Sequence, residues 1–217
     1  EKQKMIAEQL VKSGAAISVN VNEIDNKIVG AFQALLKNWD EYYRANLRLC
    51  DGKGARRVAI SLQQQFETSV ICDFELTLAS IADIEMVYDW QCHSETRKYA
   101  LDPSTPTWSA HIAWMEKKLV SNDDYFYILK NRHNWKSAGV LRLDKAAEQN
   151  YTVSIYVAPD QYGQGAGSAA LMLADLIHPD VTLHATVLGD NTASQIIFEK
   201  QNYKRLSREK FIREPIN

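Results

Sequence analysis

The feature that most constrains this chain is a glycine-rich turn between two apolar runs, within residues 151–173. Tyr151–Val157 alternates and is rich in β-branched residues, which predicts a strand, and Pro159 ends it because proline cannot donate to a ladder. Glycines at positions 163, 165 and 167 then open a predicted helix rich in Ala and Leu. A helix start presents unpaired N–H groups and the positive end of the dipole, and glycine lets an anion approach them. The segment is therefore predicted to bind a pyrophosphate.

Two common phosphate-binding turns do not fit this segment. The dinucleotide fingerprint requires an acidic residue on the next strand, but Val181–Val187 ends in no suitable Asp or Glu. A P-loop requires Gly-Lys-Ser/Thr after the turn, and that sequence does not follow here.

The turn and the next strand–helix pair resemble the two signatures of the GNAT acetyltransferase superfamily. YGQGAG at 162–167 is similar to the family's Arg/Gln-x-x-Gly-x-Gly/Ala turn, with Tyr162 where Arg or Gln is usual. The strand TLHATVLGDN and the following TASQIIFEKQNY resemble the family's Asn-x-x-Ser/Ala-x-x-x-Tyr-x-Lys-x-Gly-Phe signature. The resemblance implies an α/β GNAT fold over residues 66–217, with a mixed central sheet and helices on both faces. It also implies acetyl-CoA-dependent N-acetyltransferase activity.

Composition excludes several other classes of protein. The formal net charge of −2 gives no electrostatic footprint for nucleic acid. No apolar run approaches the ~20 residues that span a bilayer, and no signal peptide is visible. The three cysteines are widely spaced, which predicts reduced thiols, no metal site and a cytoplasmic protein.

Residues 1–65 are predicted to be mainly helical, with a linker at Gln63–Gln65. The run DGKGARRV at 51–58 resembles the C-terminal end of the nucleotide-sugar hydrolase of pseudaminic acid biosynthesis, which has a glycosyltransferase-B-like fold. The chain begins with Glu1, so we expect it to start inside a longer protein in which a hydrolase domain is fused to the acetyltransferase. The alternative is a helical extension of no particular origin.

The resemblance implies a set of cofactor-binding residues. Backbone groups at the end of the first strand match the positions that pair with the pantetheine arm, and N–H groups of 164–168 match those that hold the pyrophosphate. Asn191 matches a family position that bonds the cofactor, and it is also a candidate helix cap. The expected set is Ile155, Tyr156, Val157, Tyr162, Gly163, Gln164, Gly165, Ala166, Gly167, Ser168, Asn191 and Phe198.

Two departures from the family affect proton transfer. Phe198 stands where the family places a Tyr that protonates the CoA thiolate, and Thr186 stands where many relatives have a carboxylate. A sugar amine near pKa ~8 costs only about 1.4 kcal/mol to deprotonate at pH 7, far less than a lysine at ~10.4. A weak base and a weak donor would then be enough, and we expect His184 and Ser194 to supply them. The alternatives are a satisfied core histidine and a helix-surface hydroxyl.

The acceptor side resembles nucleotide-sugar and amino-sugar acetyltransferases, which carry His-x-x-Trp/Phe on a helix, as HIAW does at 111–114. Aromatic rings can stack on a pyranose or uracil, and arginine can bind a diphosphate in bidentate fashion. The alternative for the aromatic residues is core packing. The expected acceptor-binding residues are Trp90, Arg97, His111, Trp114 and Arg142.

The function implied is acetylation of an amino group on a nucleotide-linked 4-amino-deoxysugar, in pseudaminic or a related nonulosonic acid pathway. One alternative is an N-acetyltransferase for protein N-termini or another small amine. Another is a CoA-binding or assembly module without catalysis, which the departures at Thr186 and Phe198 keep open.

Overall fold

A computed structural model of the chain describes residues 2–66 and 72–216. The chain divides into two compact units, residues 1–53 and 54–217. The sequence of residues 66–78 predicts two strand-like stretches. The first lies in part outside the described residues, and the second is the observed strand Phe74–Leu78.

The first unit is helical, as predicted. It contains α1 (Lys2–Lys12), α2 (Ile24–Lys37) and α3 (Trp39–Leu49), with one turn of 3-10 helix before α2. Of its described residues only Ala45 is buried. Apolar residues at Ile24, Ile28, Phe32, Leu35 and Leu36 predict one apolar face on α2, and that face is largely exposed, with Phe32 at 61%.

The second unit is a seven-stranded mixed sheet with helices on both faces, which confirms the predicted fold. The strand order is β1-β2-β3-β4-β5-β7-β6, and all neighbours are antiparallel except β4 and β5. In chain order the elements are α4 (Gly54–Phe66), β1 (Phe74–Leu78), α5 (Ile84–Cys92), α6 (Ser94–Lys98), α7 (Trp108–Val120), β2 (Tyr125–Asn131), β3 (Ser137–Ala147), β4 (Asn150–Val157), α8 (Ala166–Ile177), β5 (Thr182–Thr186), α9 (Thr192–Lys200), β6 (Lys204–Arg205) and β7 (Lys210–Arg213).

Each face of the sheet has its own core, because side chains alternate along the strands. Leu141 and Leu143 of β3 join the cluster formed with α4, α8 and α9. Val140, on the opposite face of β3, joins Val87 of α5 and Met115 of α7. The α8 side of the sheet is therefore separate from the side that α5 and α7 cover.

Helix α4 belongs to the sheet unit, so the compact unit begins at Gly54 rather than at residue 66. Ile60 is buried in the α8-side core. The side chain of Gln64 pairs with β1 as a neighbouring strand would: its Nε2 donates to Leu76 O at 2.9 Å, and its Oε1 accepts from Leu76 N at 2.7 Å. The segment predicted as 1–65 is thus divided between the two units.

A buried arginine fixes the last strand to the end of α8. Arg213 is 2% exposed, and its guanidinium donates to Asp175 Oδ1 and to His178 O, each at 2.8 Å. The hydroxyl of Tyr127 lies 2.8 Å from His178 Nε2. Burial raises the pKa of Asp175 to about 6 and lowers the pKa of His178 to about 4.

Candidate acetyl-CoA and acceptor site

A gap opens between β4 and β5, the two parallel strands. They pair only at Asn150↔Thr182, Tyr151↔Leu183 and Thr152↔His184, whereas β4 continues to Val157 and stays paired with β3 throughout. The end of β4 therefore lacks a ladder partner on its β5 side. Ile155 and Val157 are only half-buried although β4 lies in the middle of the sheet.

The glycine turn follows directly on β4 and leads into α8. Gly163 and Gly165 have φ of +75° and +80°, in the left-handed region that favours glycine. A Cβ at either position would meet no atom within 4 Å, so the backbone there faces open space. Gly165 is the N-cap of α8 and makes no side-chain cap, which leaves the N–H groups of 166–168 available to an anion. Space and donors together fit a pyrophosphate.

The third glycine has a different role. A Cβ on Gly167 would lie 3.2 Å from Ile197 Cδ1, so this glycine allows α8 and α9 to pack closely. Tyr162 precedes the turn and is exposed.

Asn191 is the cap of α9, since its Oδ1 accepts from Ser194 N at 3.1 Å. The capping role expected as one alternative is thus present. Ser194 lies in the first turn of the same helix and is half-buried.

Phe198 lies in the core on the α8 side of the sheet. It is 2% exposed, and its ring packs at 4.9 Å from Tyr203 and 5.8 Å from Phe211. The ring is therefore part of the core, and the expected role of Phe198 at the cofactor stays a prediction. Phe198 occupies the position on α9 where the family has its tyrosine, but the orientation of the helix directs the ring into the core.

His184 lies at the closed end of the gap, opposite Thr152, on the sheet face away from α8. It is half-buried, and its Nε2 lies 3.3 Å from Asn150 Oδ1. Thr186 lies one step further along this face and accepts from Lys210 Nζ at 2.9 Å.

His111 is a core residue. It is 1% exposed, its Nε2 lies 2.9 Å from Ile84 O, and burial lowers its pKa, so the ring is neutral. Its neighbours are the rings of Tyr88, Trp108 and Trp114. The core role is therefore observed for His111, and its expected contact with the acceptor stays a prediction.

The two arginines that are expected to bind the acceptor make different contacts. Arg97 Nη1 donates to the carbonyls of Asp102 and Ser104 and so braces the loop after α6. Arg142 donates to Asp144 Oδ2 at 2.7 Å and lies over the ring of Trp114, 5.0 Å from its centroid. Arg142 and Trp114 thus form one surface on the α7 side of the sheet, and Trp90 is half-buried in the same cluster.

Sequence reasoning missed the side chain of Tyr156, which was assigned only for its backbone. The alternation along β4 places it on the same face as Arg142, and it packs with the α5–α7 cluster. That alternation was visible in the sequence, but the choice of face required the α8-side core to be known.

Within residues 2–66 and 72–216, none of the helices combines the length and apolar character needed to cross a bilayer. No group of three or more His, Cys, Asp or Glu side chains in those ranges is arranged to hold a metal ion.

Solved structures of several acetyltransferases share this fold. A spermidine N-acetyltransferase from Vibrio cholerae, in complex with CoA and spermine, has a TM-score of 0.56 at 12% identity, over 64% of this chain and 92% of that one. An aminoglycoside acetyltransferase in complex with coenzyme A has a TM-score of 0.54 at 16% identity, over 65% and 94%. RimL, a ribosomal alpha-N-protein acetyltransferase in complex with CoA, has a TM-score of 0.57 at 12% identity, over 68% and 98%. No curated protein sequence is significantly similar to the chain.

Residues 74–204 match the family model of the acetyltransferase (GNAT) domain, and this range holds both the strand gap and the glycine turn. The chain therefore belongs to the GNAT acetyltransferase family, as an N-acetyltransferase whose cosubstrate is acetyl-CoA.

Proposed function

We propose that the chain acetylates an amino group of a nucleotide-linked 4-amino-deoxysugar. The observation that carries this proposal is the Arg142–Trp114 surface beside the strand gap. An aromatic face suits a sugar or base, and the guanidinium keeps free N–H donors for a phosphate after its bond to Asp144.

Charge on this face argues against a polycationic acceptor. Asp144 is bonded by Arg142 and also lies 2.7 Å from Lys118 Nζ. A polyamine or an aminoglycoside needs carboxylates with charge to spare, and this carboxylate already pairs with Arg142 and shares Lys118 with Asp124.

Acetyl-CoA supplies the acetyl group as an activated thioester, and the chain binds and orients it. We assign the pyrophosphate to the 163–168 backbone and the pantetheine arm to the free edge of Ile155–Val157, with Asn191 and the exposed Tyr162 flanking the cofactor. Open space at Gly163 and Gly165 and the unpaired edge of β4 support this assignment.

The proton demand of the reaction is small for a sugar amine. Deprotonating an amine of pKa ~8 at pH 7 costs about 1.4 kcal/mol. A thiolate whose conjugate thiol has a pKa of ~8.5 can leave without protonation by a strong acid. His184 at the closed end of the gap is the proposed base, and Ser194 in the first turn of α9 is the proposed donor. Both side chains are partly accessible.

We propose further that residues 1–65 derive from the end of a nucleotide-sugar hydrolase fused to the acetyltransferase. The run at 51–58 supports this origin, and the exposed apolar face of α2 is what a helix separated from a larger lobe would show. Because the hydrolase's catalytic part is not in this chain, the chain should release no sugar phosphate from a UDP-sugar.

A thiol-release assay tests the acceptor. The chain with acetyl-CoA should turn over a UDP-4-amino-deoxysugar with a kcat/KM at least tenfold above that for spermidine or an N-terminal peptide. Arg142→Met should lower kcat/KM for the sugar, whereas the matched Arg132→Met, just after β2 and outside this surface, should not. A preference for the peptide or the polyamine would overturn the sugar assignment, and CoA binding without turnover of any amine would favour a non-catalytic module.

A further inference from the structure

A row of polar side chains crosses the sheet where the strand gap opens. The ladder between β4 and β5 ends at its third pair. Two residues beyond that pair, Ser154 and Thr186 stand on opposite sides of the opening, with their side chains on the face away from α8. Arg142 of β3 is paired with Ser154, and Lys210 of β7 is paired with Thr186. These four residues form a cross-gap row.

Each hydroxyl of the cross-gap row lies beside a cation. Lys210 Nζ donates to Thr186 Oγ1 at 2.9 Å, and Arg142 Nη2 donates to Ser154 Oγ at 3.4 Å. In the described parts of the chain, neither hydroxyl donates to another protein group. Ser154 and Thr186 are both partly accessible, so a molecule bound in the strand gap can accept from them.

A hydroxyl that accepts from a cation is a directed donor. The cation occupies one lone pair of the oxygen, so the O–H points away from the cation. The positive charge also polarises the O–H, because hydrogen bonds in a chain strengthen one another. Donors of this kind stabilise negative charge that develops on an oxygen held beside them. Such charge develops on the carbonyl oxygen of a thioester when an amine attacks the carbonyl carbon.

We infer that Thr186 and Ser154 are catalytic residues that donate to the carbonyl oxygen of the acetyl group. Lys210 positions the hydroxyl of Thr186, and Arg142 positions that of Ser154 in addition to its proposed contact with the acceptor. The inference rests on the proposed function, in which acetyl-CoA lies in the strand gap, but it does not depend on which amine is acetylated.

The two hydroxyls stabilise the first half of the transfer. The nitrogen of the neutral acceptor amine bonds to the acetyl carbon, and the π pair of the C=O bond moves onto the oxygen. When that pair returns, the C–S bond breaks and its electrons leave on the sulfur. The nitrogen loses one proton to the proposed base His184, and the sulfur gains one from the proposed donor Ser194. Exchange with water restores both side chains.

Binding measurements test the inference without an acceptor, on Thr186→Val and Ser154→Ala in the full chain. Thr182→Val is the matched control, since Thr182 is half-buried on the same strand and face as Thr186, at the closed end of the gap. Calorimetric titration compares acetyl-CoA with CoA, which lacks the acetyl group. Thr186→Val should raise the Kd of acetyl-CoA about fivefold and leave that of CoA unchanged. Ser154→Ala should do the same to a smaller extent, and Thr182→Val should change neither Kd.

Turnover is the second measurement, on whichever amine the wild type acetylates. Thr186→Val should lower kcat by about tenfold or more, since a donor to the oxyanion acts mainly in the transition state. Thr186→Ser keeps the hydroxyl, so its kcat should stay within about twofold of wild type. Lys210→Met should lower kcat in the wild type and have no effect in the Thr186→Val background, because Lys210 acts through that hydroxyl.

Two results would overturn the inference. If Thr186→Val and Ser154→Ala bind acetyl-CoA as the wild type does, the hydroxyls do not touch the acetyl group, and a lowered Tm would then mark them as structural. If both variants lose affinity for acetyl-CoA and CoA alike, the hydroxyls hold another part of the cosubstrate. The proposed acceptor fails separately: turnover of another amine in place of the sugar leaves both Kd comparisons valid, and kcat is then compared on that amine.

Discussion

The two units of this chain contain helices of similar amphipathic pattern but differ in what they bury. Within residues 2–53, Phe32 and Trp39 are more than half exposed, at 61% and 56%. Within 54–216, Leu141 and Leu143 are fully buried between the sheet and its helices. An apolar stripe predicts a helix in both cases, but only the sheet provides a second surface on which to bury it. The proposed acetyl-CoA site belongs to the unit that has this surface.

Helix α4 is a third case, because its sequence continues the helical segment while its contacts belong to the sheet. A fragment beginning at Gly54 should unfold with the stability of the sheet unit in the full chain. A fragment beginning at Phe66 should lose about 4 kcal/mol or more, from the burial of Ile60 and the pairing of Gln64 with Leu76. Urea unfolding measures both, and equal stability would place α4 with the first unit.

The glutamine that pairs with β1 should account for much of that loss. Gln64→Ala leaves the N–H and C=O of Leu76 without that partner, so unfolding should become easier by about 2–3 kcal/mol. Gln65→Ala, exposed on the same helix, should stay within about 0.5 kcal/mol of wild type. If the two variants matched in chemical denaturation, the pairing would contribute nothing.

Two glycines offer a matched test of where the cofactor binds. Gly165 and Gly52 both have positive φ, and a Cβ on either meets no atom within 4 Å. Alanine at each should strain the backbone by about 1 kcal/mol. Only Gly165→Ala should weaken acetyl-CoA binding, by about 30-fold or more, or about 2 kcal/mol. Calorimetric titration checks this, and equal affinities would move the pyrophosphate away from the turn.

Buried titratable groups of the sheet unit should make its stability depend on pH in an offsetting way. The folded pKa of His178 is depressed to about 4, so its contribution is lost as pH falls from about 6.5 to 4. The folded pKa of Asp175 is raised to about 6, so its contribution is lost as pH rises from about 4 to 6. The wild type should be nearly flat over this window.

Substituting His178 should make visible the pH dependence of stability that is due to Asp175. His178→Gln keeps an acceptor for the hydroxyl of Tyr127, and its stability should fall by about 1.5 kcal/mol between pH 4.5 and 6.5. Thermal denaturation across that range decides it. A flat profile for His178→Gln would show that Asp175 stays ionised beside Arg213.

The smallest expected effect concerns the family's missing acid. Phe198→Tyr would put a hydroxyl into the core against Tyr203 and Phe211, so it should cost about 1 kcal/mol of stability and change kcat less than tenfold. Ser194→Ala should lower kcat more than Phe198→Tyr changes it. A large gain in kcat with Phe198→Tyr and no loss in kcat with Ser194→Ala would show that Ser194 is not the acid.

Local pattern was sufficient wherever a residue's role depends on its own neighbours in the chain. The strand Phe74–Leu78 was predicted with its observed bounds, and the glycine turn fell between strand and helix as expected. Position in a motif did not indicate that Phe198 and His111 are buried, because the face that a helix turns to the core depends on the elements packed against it. The same holds for Gln64, whose partner on β1 is distant in sequence and comes close only in the fold.

We expect residues 54–217 to hold the complete acetyl-CoA site. Titration of acetyl-CoA into the folded 54–217 fragment and into the full chain measures whether they do. We expect dissociation constants that agree within about twofold, because the strand gap and the glycine turn lie in this unit. A fragment with the full chain's sheet stability that binds acetyl-CoA more than tenfold more weakly would contradict the claim and show that residues 1–53 complete the site.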